Sequence, residues 1–266
     1  QQRVPATVEF VAGDVGDRDL VAKVMRNVES VIFVAGTGGE DACLANPVQA
    51  VATQVGATHI VLQQALRQDL KRFIFTSTIA AYGTYLSRPM PLTEDAELRP
   101  DDLYGVLKAT AEREIIDSGQ FQIFRLANVY GPTHSDSLSS CGVIGRFVAA
   151  ATTNQDLRVF GDGTQEIDYV HINDVCRAFE MALDRPPQNF IYNVGGGQPV
   201  SILKIANLVK EIARERLGRN PRLELLEAER QKVWPNRWLS ISKIEDEMQW
   251  RPTVSLRDGV HSMLLR

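Results

Sequence analysis

The sequence predicts an α/β fold, a doubly wound parallel sheet with a smaller C-terminal lobe. Three observations predict it. Short β-branched or aromatic runs alternate with longer segments of helical period. The run Val31-Ile32-Phe33-Val34-Ala35 is apolar throughout, as suits a strand buried on both faces. The order β-α-β-α-β-α-β then holds as far as Leu126, the signature of parallel strands joined by right-handed helical crossovers.

Taken in order, Val8-Glu9-Phe10-Val11 reads as a strand and residues 18–28 as a helix. After the strand at 31–35, residues 47–69 carry Val51, Val55, Ile60, Val61, Leu62, Ala65 and Leu66 at helical spacing. Phe73-Ile74-Phe75 is the next strand, 101–117 the next helix and 121–126 a further strand. Beyond Pro132 a polar, Ser-rich stretch leads into a helix near 142–153. A short strand at 157–160 precedes the turn Gly161-Asp162-Gly163. Residues 172–184 read as a helix and 190–194 as a strand, after which Gly195-Gly196-Gly197 breaks the chain. Ser201 is placed to cap a helix over 202–216. From about residue 220 the tail reads as irregular and contains Trp234, Trp238 and Trp250.

Composition excludes several classes. Apolar residues make up 44% of the 266 and charged residues 23%, the balance of a globular protein rather than a disordered or low-complexity one. No apolar run reaches the ~18 residues of a membrane span. The net charge is −4 with the basic residues dispersed, so neither nucleic acid nor membrane is an expected partner. Cys43, Cys141 and Cys176 are spaced for neither a disulfide framework nor a zinc site, so no metal is expected. Three idle thiols and no leading signal sequence point to the cytoplasm.

The chemistry centres on Tyr104-Gly-Val-Leu-Lys108. Spacing i,i+4 puts both side chains on one helix face. An ammonium beside a phenol favours the phenolate, so Tyr104 should titrate below its usual ~10 and serve as an acid/base. The same pair also suits a plain solvated face. Context decides: Thr76-Ser77-Thr78 ends a predicted parallel strand, where open α/β sheets bind ligands. Thr78 completes a hydroxyl-Tyr-Lys set. Other residues read more simply. Gly195 to Gly197 suit a loop, His171 a structural role, the tryptophans packing, and Asp174 the cap of its helix.

Several segments, in order, carry a resemblance: Gly13-Asp14-Val15; Val31-Ile-Phe-Val-Ala-Gly36; Phe75-Thr-Ser-Thr-Ile-Ala-Ala-Tyr-Gly83; Tyr104-Gly-Val-Leu-Lys108; Arg125-Leu-Ala-Asn-Val-Tyr-Gly-Pro132; Gly161-Asp-Gly-Thr-Gln165 with Asp168-Tyr-Val-His-Ile-Asn-Asp174; Asn193-Val-Gly195; and Trp250-Arg-Pro252 with Gly259. Together they resemble the extended short-chain dehydrogenases/reductases of the nucleotide-sugar epimerase/dehydratase superfamily, along essentially the whole chain. The resemblance implies a Rossmann-type dinucleotide-binding domain at 1–131 and 168–194. A substrate lobe would occupy 132–167 and 195–266. It implies Thr78, Tyr104 and Lys108 as catalytic residues. Asp14, Val15, Ala35, Gly36, Ser77 and Lys108 would contact NAD, with NADP left open. Asn128 and Arg230 would hold a nucleotide-sugar substrate, and a homodimer would pair through the helices at 47–69 and 101–117. The implied activity is epimerisation at C4 through a keto intermediate. The alternatives are a nucleotide-deoxysugar 4-ketoreductase using NAD(P)H and a non-catalytic dinucleotide-binding regulator or scaffold.

The sequence also departs from that pattern. The family's first strand and G-x-x-G-x-x-G turn do not precede Val8, so about 50 further upstream residues are expected from the sheet order of such folds. Where the family has Arg-Asp, this chain has Ile167-Asp168, which leaves Arg146, Arg158 or Arg237 to meet a substrate diphosphate. A family Asn is Gln54, and a family acidic residue is Val233. Thr78 is followed by Ile79 and Ala80, without the carboxylic acid that sugar dehydratases use for elimination.

Overall fold

The computed structural model describes residues 5, 7–85, 87–119, 122–132, 142–186, 188–227 and 235–264. Its elements begin with α1 (Arg18–Val24), β1 (Ser30–Phe33), α2 (Glu40–Ala45), α3 (Pro47–Val51), α4 (Ala57–Arg67), β2 (Arg72–Thr78), α5 (Leu103–Asp117) and β3 (Gln122–Leu126). There follow β4 (Asn128–Tyr130), α6 (Gly142–Thr152), β5 (Leu157–Phe160), β6 (Glu166–His171), α7 (Ile172–Leu183) and β7 (Phe190–Val194). Last come β8 (Pro199–Ser201), α8 (Ile202–Leu217), β9 (Leu223–Leu226), α9 (Ser242–Met248) and α10 (Leu256–Leu264). Two compact units result. The first comprises Gln1–Gly83, Glu97–Arg125 and Leu183–Ile191, the second Thr84–Ala96, Leu126–Ala182 and Tyr192–Arg266.

The main sheet has the order β1-β2-β3-β7, and β1 runs parallel to β2 with Val31 opposite Phe73 and Phe33 opposite Phe75. Consecutive strands joined through helices give the expected α/β architecture. β2 is apolar on both faces and is buried from Phe73 onward. In the first unit Phe33 stacks on Phe73 and Phe75 at centroid distances of 6.1 and 6.3 Å. Val61, Leu62 and Ala65 bring one stripe of α4 to the same core.

Several expectations need correction. Residues 8–11 form no strand: Val8, Phe10 and Val11 are exposed, and the Val8 N–H turns back to the Pro5 carbonyl at 2.9 Å. A strand is held by its ladder partner, and among the described residues none lies beside this segment. The helical pattern at 47–69 is interrupted by a π-turn over Ala52–Gly56, in which the Ala57 N–H reaches the Ala52 carbonyl. The tail is more ordered than its composition suggests, containing β9, α9 and α10. The expected helix at 18–28 is capped by Asp17, whose carboxylate accepts from the Asp19 and Leu20 N–H groups, and it ends at Val24.

The second unit carries the sheet β4-β6-β8 and the parallel pair β5-β9. Its core joins Ile144 and Val148 of α6 to Leu157 of β5, Ile205 and Val209 of α8 and Val260 of α10. Trp250 is fully buried and donates from Nε1 to the Asp174 carbonyl at 3.0 Å, a packing role as expected. Asp174 does not cap its own helix. Its carboxylate accepts from the Thr253 N–H, the Thr253 hydroxyl and the Val254 N–H, tying that loop to α7. Among the described residues no helix is long and apolar enough to cross a membrane.

The α5 helix is fixed in the first unit by a buried ion pair. Arg125 of β3 donates from Nε and Nη2 to both carboxylate oxygens of Glu112 at 2.8–3.2 Å, and from Nη1 to the Tyr82 hydroxyl at 2.9 Å. Glu112→Ala leaves the guanidinium buried without its counter-charge and should destabilise the protein by about 3–5 kcal/mol, read as a lower urea midpoint.

Candidate active site

The end of β2 and the start of α5 build the site in the first unit. Thr78 is the last residue of β2, and its hydroxyl accepts from the Ala80 N–H at 3.2 Å, capping the 3-10 turn Ile79–Tyr82. Asp102 caps α5 by accepting from the Gly105 N–H at 2.7 Å. Gly105 lets the two elements touch, because a Cβ there would run into the Ala80 carbonyl oxygen. At this close approach Tyr104 and Thr78 are neighbours, the Thr78 hydroxyl acting on the Tyr104 phenol. One α-helical turn further on, Lys108 is buried; its ammonium donates to the Thr76 carbonyl at 2.8 Å and lies 4.7 Å from the centroid of the Phe75 ring.

The electrostatics differ from the expectation at Tyr104. Burial pushes its phenol above its ordinary value, the Thr78 hydroxyl partly offsets this, and Cys43 and Asp102 push further up. The Lys108 ammonium is engaged on the backbone of β2, so the expected downward pull does not prevail. Burial instead lowers Lys108 itself to about 8, against the opposing pull of Glu112 and Cys43. Its thiol neighbour Cys43 is fully buried with Ala50 and Leu107, and burial and then Asp102 raise it while Lys108 lowers it. Cys43 and Asp102 beside Tyr104 were missed by sequence reasoning. Asp102 was findable as an Asp before a helical run. Cys43 comes from a separate helix and left no local signal.

The remaining residues named from sequence are distributed as follows. Ser77 is buried next to Thr78, and its hydroxyl has no hydrogen-bond partner among the described residues. Ala35 packs on the first unit's core and Gly36 is exposed after β1. Gln54 of the π-turn reaches back to this loop, its amide donating to the Thr37 carbonyl at 2.6 Å. Asp14 is exposed and accepts from the Gly16 N–H at 2.8 Å, so it closes a turn, while Val15 packs on the core. Asn128 belongs to the second unit, where its amide donates to the Asp168 carbonyl at 3.0 Å. Gly195 and Gly196 form a loop against Asp168, whose carboxylate accepts from the Gly196 N–H at 2.7 Å. His171 is buried and accepts from the Asn173 N–H. Arg230, Trp234 and Cys141 lie outside the described residues.

The family description "NAD dependent epimerase/dehydratase family" matches residues 1–195. The chain belongs to this family. A Methanocaldococcus jannaschii protein carrying the provisional name UDP-glucose 4-epimerase is 30% identical over 262 residues, which cover 95% of this chain and 81% of that protein. A solved UDP-glucose 4-epimerase from Thermotoga maritima, in a structure with UDP-glucose, shares the fold with a TM-score of 0.87 at 24% identity, covering 99% of this chain and 85% of that one. The UDP-glucuronic acid 4-epimerase from Bacillus cereus, solved with UDP-glucuronic acid and NAD, gives a TM-score of 0.84 at 25% identity and covers 99% and 82%.

The lowered Lys108 has a consequence for stability. The unfolded chain holds this proton up to about 10.5 and the folded chain only to about 8, so between these values the unfolded state binds more protons and raising pH favours folding. The unfolding free energy of the wild type should therefore rise from pH 8 towards pH 10 relative to Lys108→Met. Urea denaturation of both at several pH values checks this, and parallel curves would refute it.

Proposed function

We propose that this chain interconverts C4 epimers of a nucleotide sugar through a 4-keto intermediate, with NAD as cofactor. The observation that carries this reading is the meeting of the Thr78 hydroxyl, the Tyr104 phenol and the buried Lys108 amine at the end of a parallel strand. Family membership and relatives named as 4-epimerases support it.

The residues present fit the cofactor. Ser77 offers a buried hydroxyl without a partner among the described residues, and Lys108 uses one of its three N–H donors on the Thr76 carbonyl. Ser77, Lys108, Ala35 and Gly36 would hold NAD, with Asp14 and Val15 nearer its adenine end. When bound, NAD supplies the reversible redox chemistry at C4. Thr78 would hydrogen-bond the C4 oxygen. Tyr104 would take its proton and return it to the opposite epimer. A base must first be available, and a sugar hydroxyl donating to Tyr104 alongside Thr78 would stabilise phenolate. Asn128 and Arg230 would hold the nucleotide portion. Ile79 and Ala80, both buried, provide no acid for dehydration, which favours epimerisation over elimination.

The finer physiological reading is a cytoplasmic homodimer. The free thiols Cys43 and Cys176 suit a reducing compartment. Val48 is 81% exposed on α3, and Val51 and Val106 are exposed on α3 and α5, leaving apolar surface for a second copy. Light scattering should give twice the monomer mass, and a monomer at micromolar concentration would overturn this.

The catalytic test uses UDP-glucose and UDP-glucuronic acid with the NAD-loaded protein. Epimers should interconvert without net NADH formation. Tyr104→Phe should lower kcat by roughly 10²–10⁴-fold while retaining UDP binding, and undiminished turnover would refute the role of Tyr104. Steady consumption of NADH or NADPH with a 4-keto sugar would assign a reductase instead.

A further inference from the structure

Cys43 is a thiol beside the site that the chemistry described above does not use. It is fully buried in α2, where it packs with Ala50 of α3 and Leu107 of α5, and Tyr104 packs on this cluster. Its Sγ donates to the Thr37 carbonyl at 3.9 Å. That carbonyl belongs to the loop after β1 and also accepts from the Gln54 amide at 2.6 Å. The Thr37 hydroxyl lies 2.9 Å from the Thr53 hydroxyl. Thr53 directs its own proton to the Gln49 carbonyl at 2.9 Å, so Thr37 is the donor between the two hydroxyls. The π-turn thus holds the loop, and Cys43 links the loop to the cluster that carries Tyr104. A thiol suits this position because it is a compact apolar filler and only a weak donor. The Thr37 carbonyl stays with Gln54, and α2 brings no strong donor to the phenol. The titratable groups that act on Tyr104 and Cys43 are Asp102 at the cap of α5 and Lys108 within it. Glu112 acts on Lys108 and is itself paired with Arg125. β2 adds the Thr78 hydroxyl, and α2 carries Glu40 and Asp41 in its first turn. α3 and the π-turn carry no titratable side chain.

We infer that Cys43 is a positioning residue for the reaction: bonded to the Thr37 carbonyl and packed with Tyr104, it fixes the loop after β1 against the phenol and keeps water from that flank of the ring. The inference rests on the C4 reading above, in which the loop holds NAD and Tyr104 moves the proton. Redox chemistry and proton transfer then meet at one carbon and its oxygen. Their partners must keep one spacing, because a small misplacement of reacting groups costs much of the rate. Cys43 supplies that spacing through a single side chain. It acts through Tyr104 and the loop and takes no part in the proton transfer itself. The dry flank is also consistent with the direction in which burial moves the Tyr104 phenol.

Two measurements test it. Tyrosine ionisation is followed by ultraviolet absorbance in the wild type and in Cys43→Ala, each read against the same protein with Tyr104→Phe, which isolates the Tyr104 titration without need of turnover. The Tyr104 midpoint should fall by about 0.5 pH unit or more in Cys43→Ala, because water enters where the thiol was. With UDP-glucose and UDP-glucuronic acid and the NAD-loaded protein, kcat should fall roughly tenfold while KM stays within about twofold. Cys43→Ser keeps a donor for the Thr37 carbonyl and should restore kcat to within about threefold of the wild type, and its hydroxyl should lower the Tyr104 midpoint. Val55→Ala removes apolar volume from the same cluster without touching the thiol and should leave the midpoint in place. If the wild type turns over and Cys43→Ala keeps either its midpoint or its kcat, the inference falls and the C4 reading stands. An equal midpoint shift in Val55→Ala reduces Cys43 to packing and overturns it likewise. If Cys43→Ala does not fold, an unchanged midpoint in Cys43→Ser overturns it alone. If the wild type turns over neither nucleotide sugar, the C4 reading falls and takes the inference with it.

Discussion

The buried ion pair between Glu112 and Arg125 is the constraint on which the first unit's site depends. Glu112 lies one helical turn beyond Lys108, and Arg125 is held in a strand of the central sheet. Two charges taken out of water need each other and need good geometry. Here Arg125 meets both carboxylate oxygens and also the Tyr82 hydroxyl. Burial opposes its charge, yet the bonds to Glu112 and Tyr82 hold its pKa above the ordinary value. The pair therefore fixes both the rotation and the height of α5 against the sheet, and with them the positions of Tyr104 and Lys108.

That positioning is obtained in apolar surroundings, and the cost appears in the titrating groups. Phe75 and the β2 backbone receive the Lys108 ammonium, and burial nonetheless draws its proton affinity down. The phenol of Tyr104 is shifted the other way for the same physical reason, since desolvation penalises whichever form carries charge. One environment thus moves the two values apart, the phenol above its ordinary value and the ammonium down to about 8.

Much of the architecture was legible because its periodicities were strong. β2 and β5 carry apolar patterns that no helix would repeat, and Ser201 caps α8 as its sequence position suggests, accepting from the Lys204 N–H at 3.2 Å. The Thr78, Tyr104 and Lys108 cluster was legible from helix spacing combined with the end of a strand. What was hidden is tertiary. The strand-like pattern Val8-Glu9-Phe10-Val11 states a preference, but a strand exists only where another lies beside it. Cys43 reaches Tyr104 from α2, and Arg237 reaches Ile167 from a distant segment, so neither proximity is written in local spacing. Asp174 read as a cap because its position is right for one; its carboxylate was instead taken by Thr253 and Val254.

The π-turn at Ala52–Gly56 gives this fold an unusual tolerance. A wide turn of this kind accommodates one surplus residue within a continuous helix while leaving the phases of its two ends intact. Ala50 before it and Val61 and Leu62 after it all remain buried. The surplus is used by Gln54, which braces the loop after β1 through the Thr37 carbonyl. Shortening the turn by one residue would return it to ordinary α-helical winding, with the core-facing stripe still in phase. The scaffold would survive the deletion, and the loop would lose its brace. In this helix, chain length itself separates what keeps the protein folded from what shapes the loop after β1.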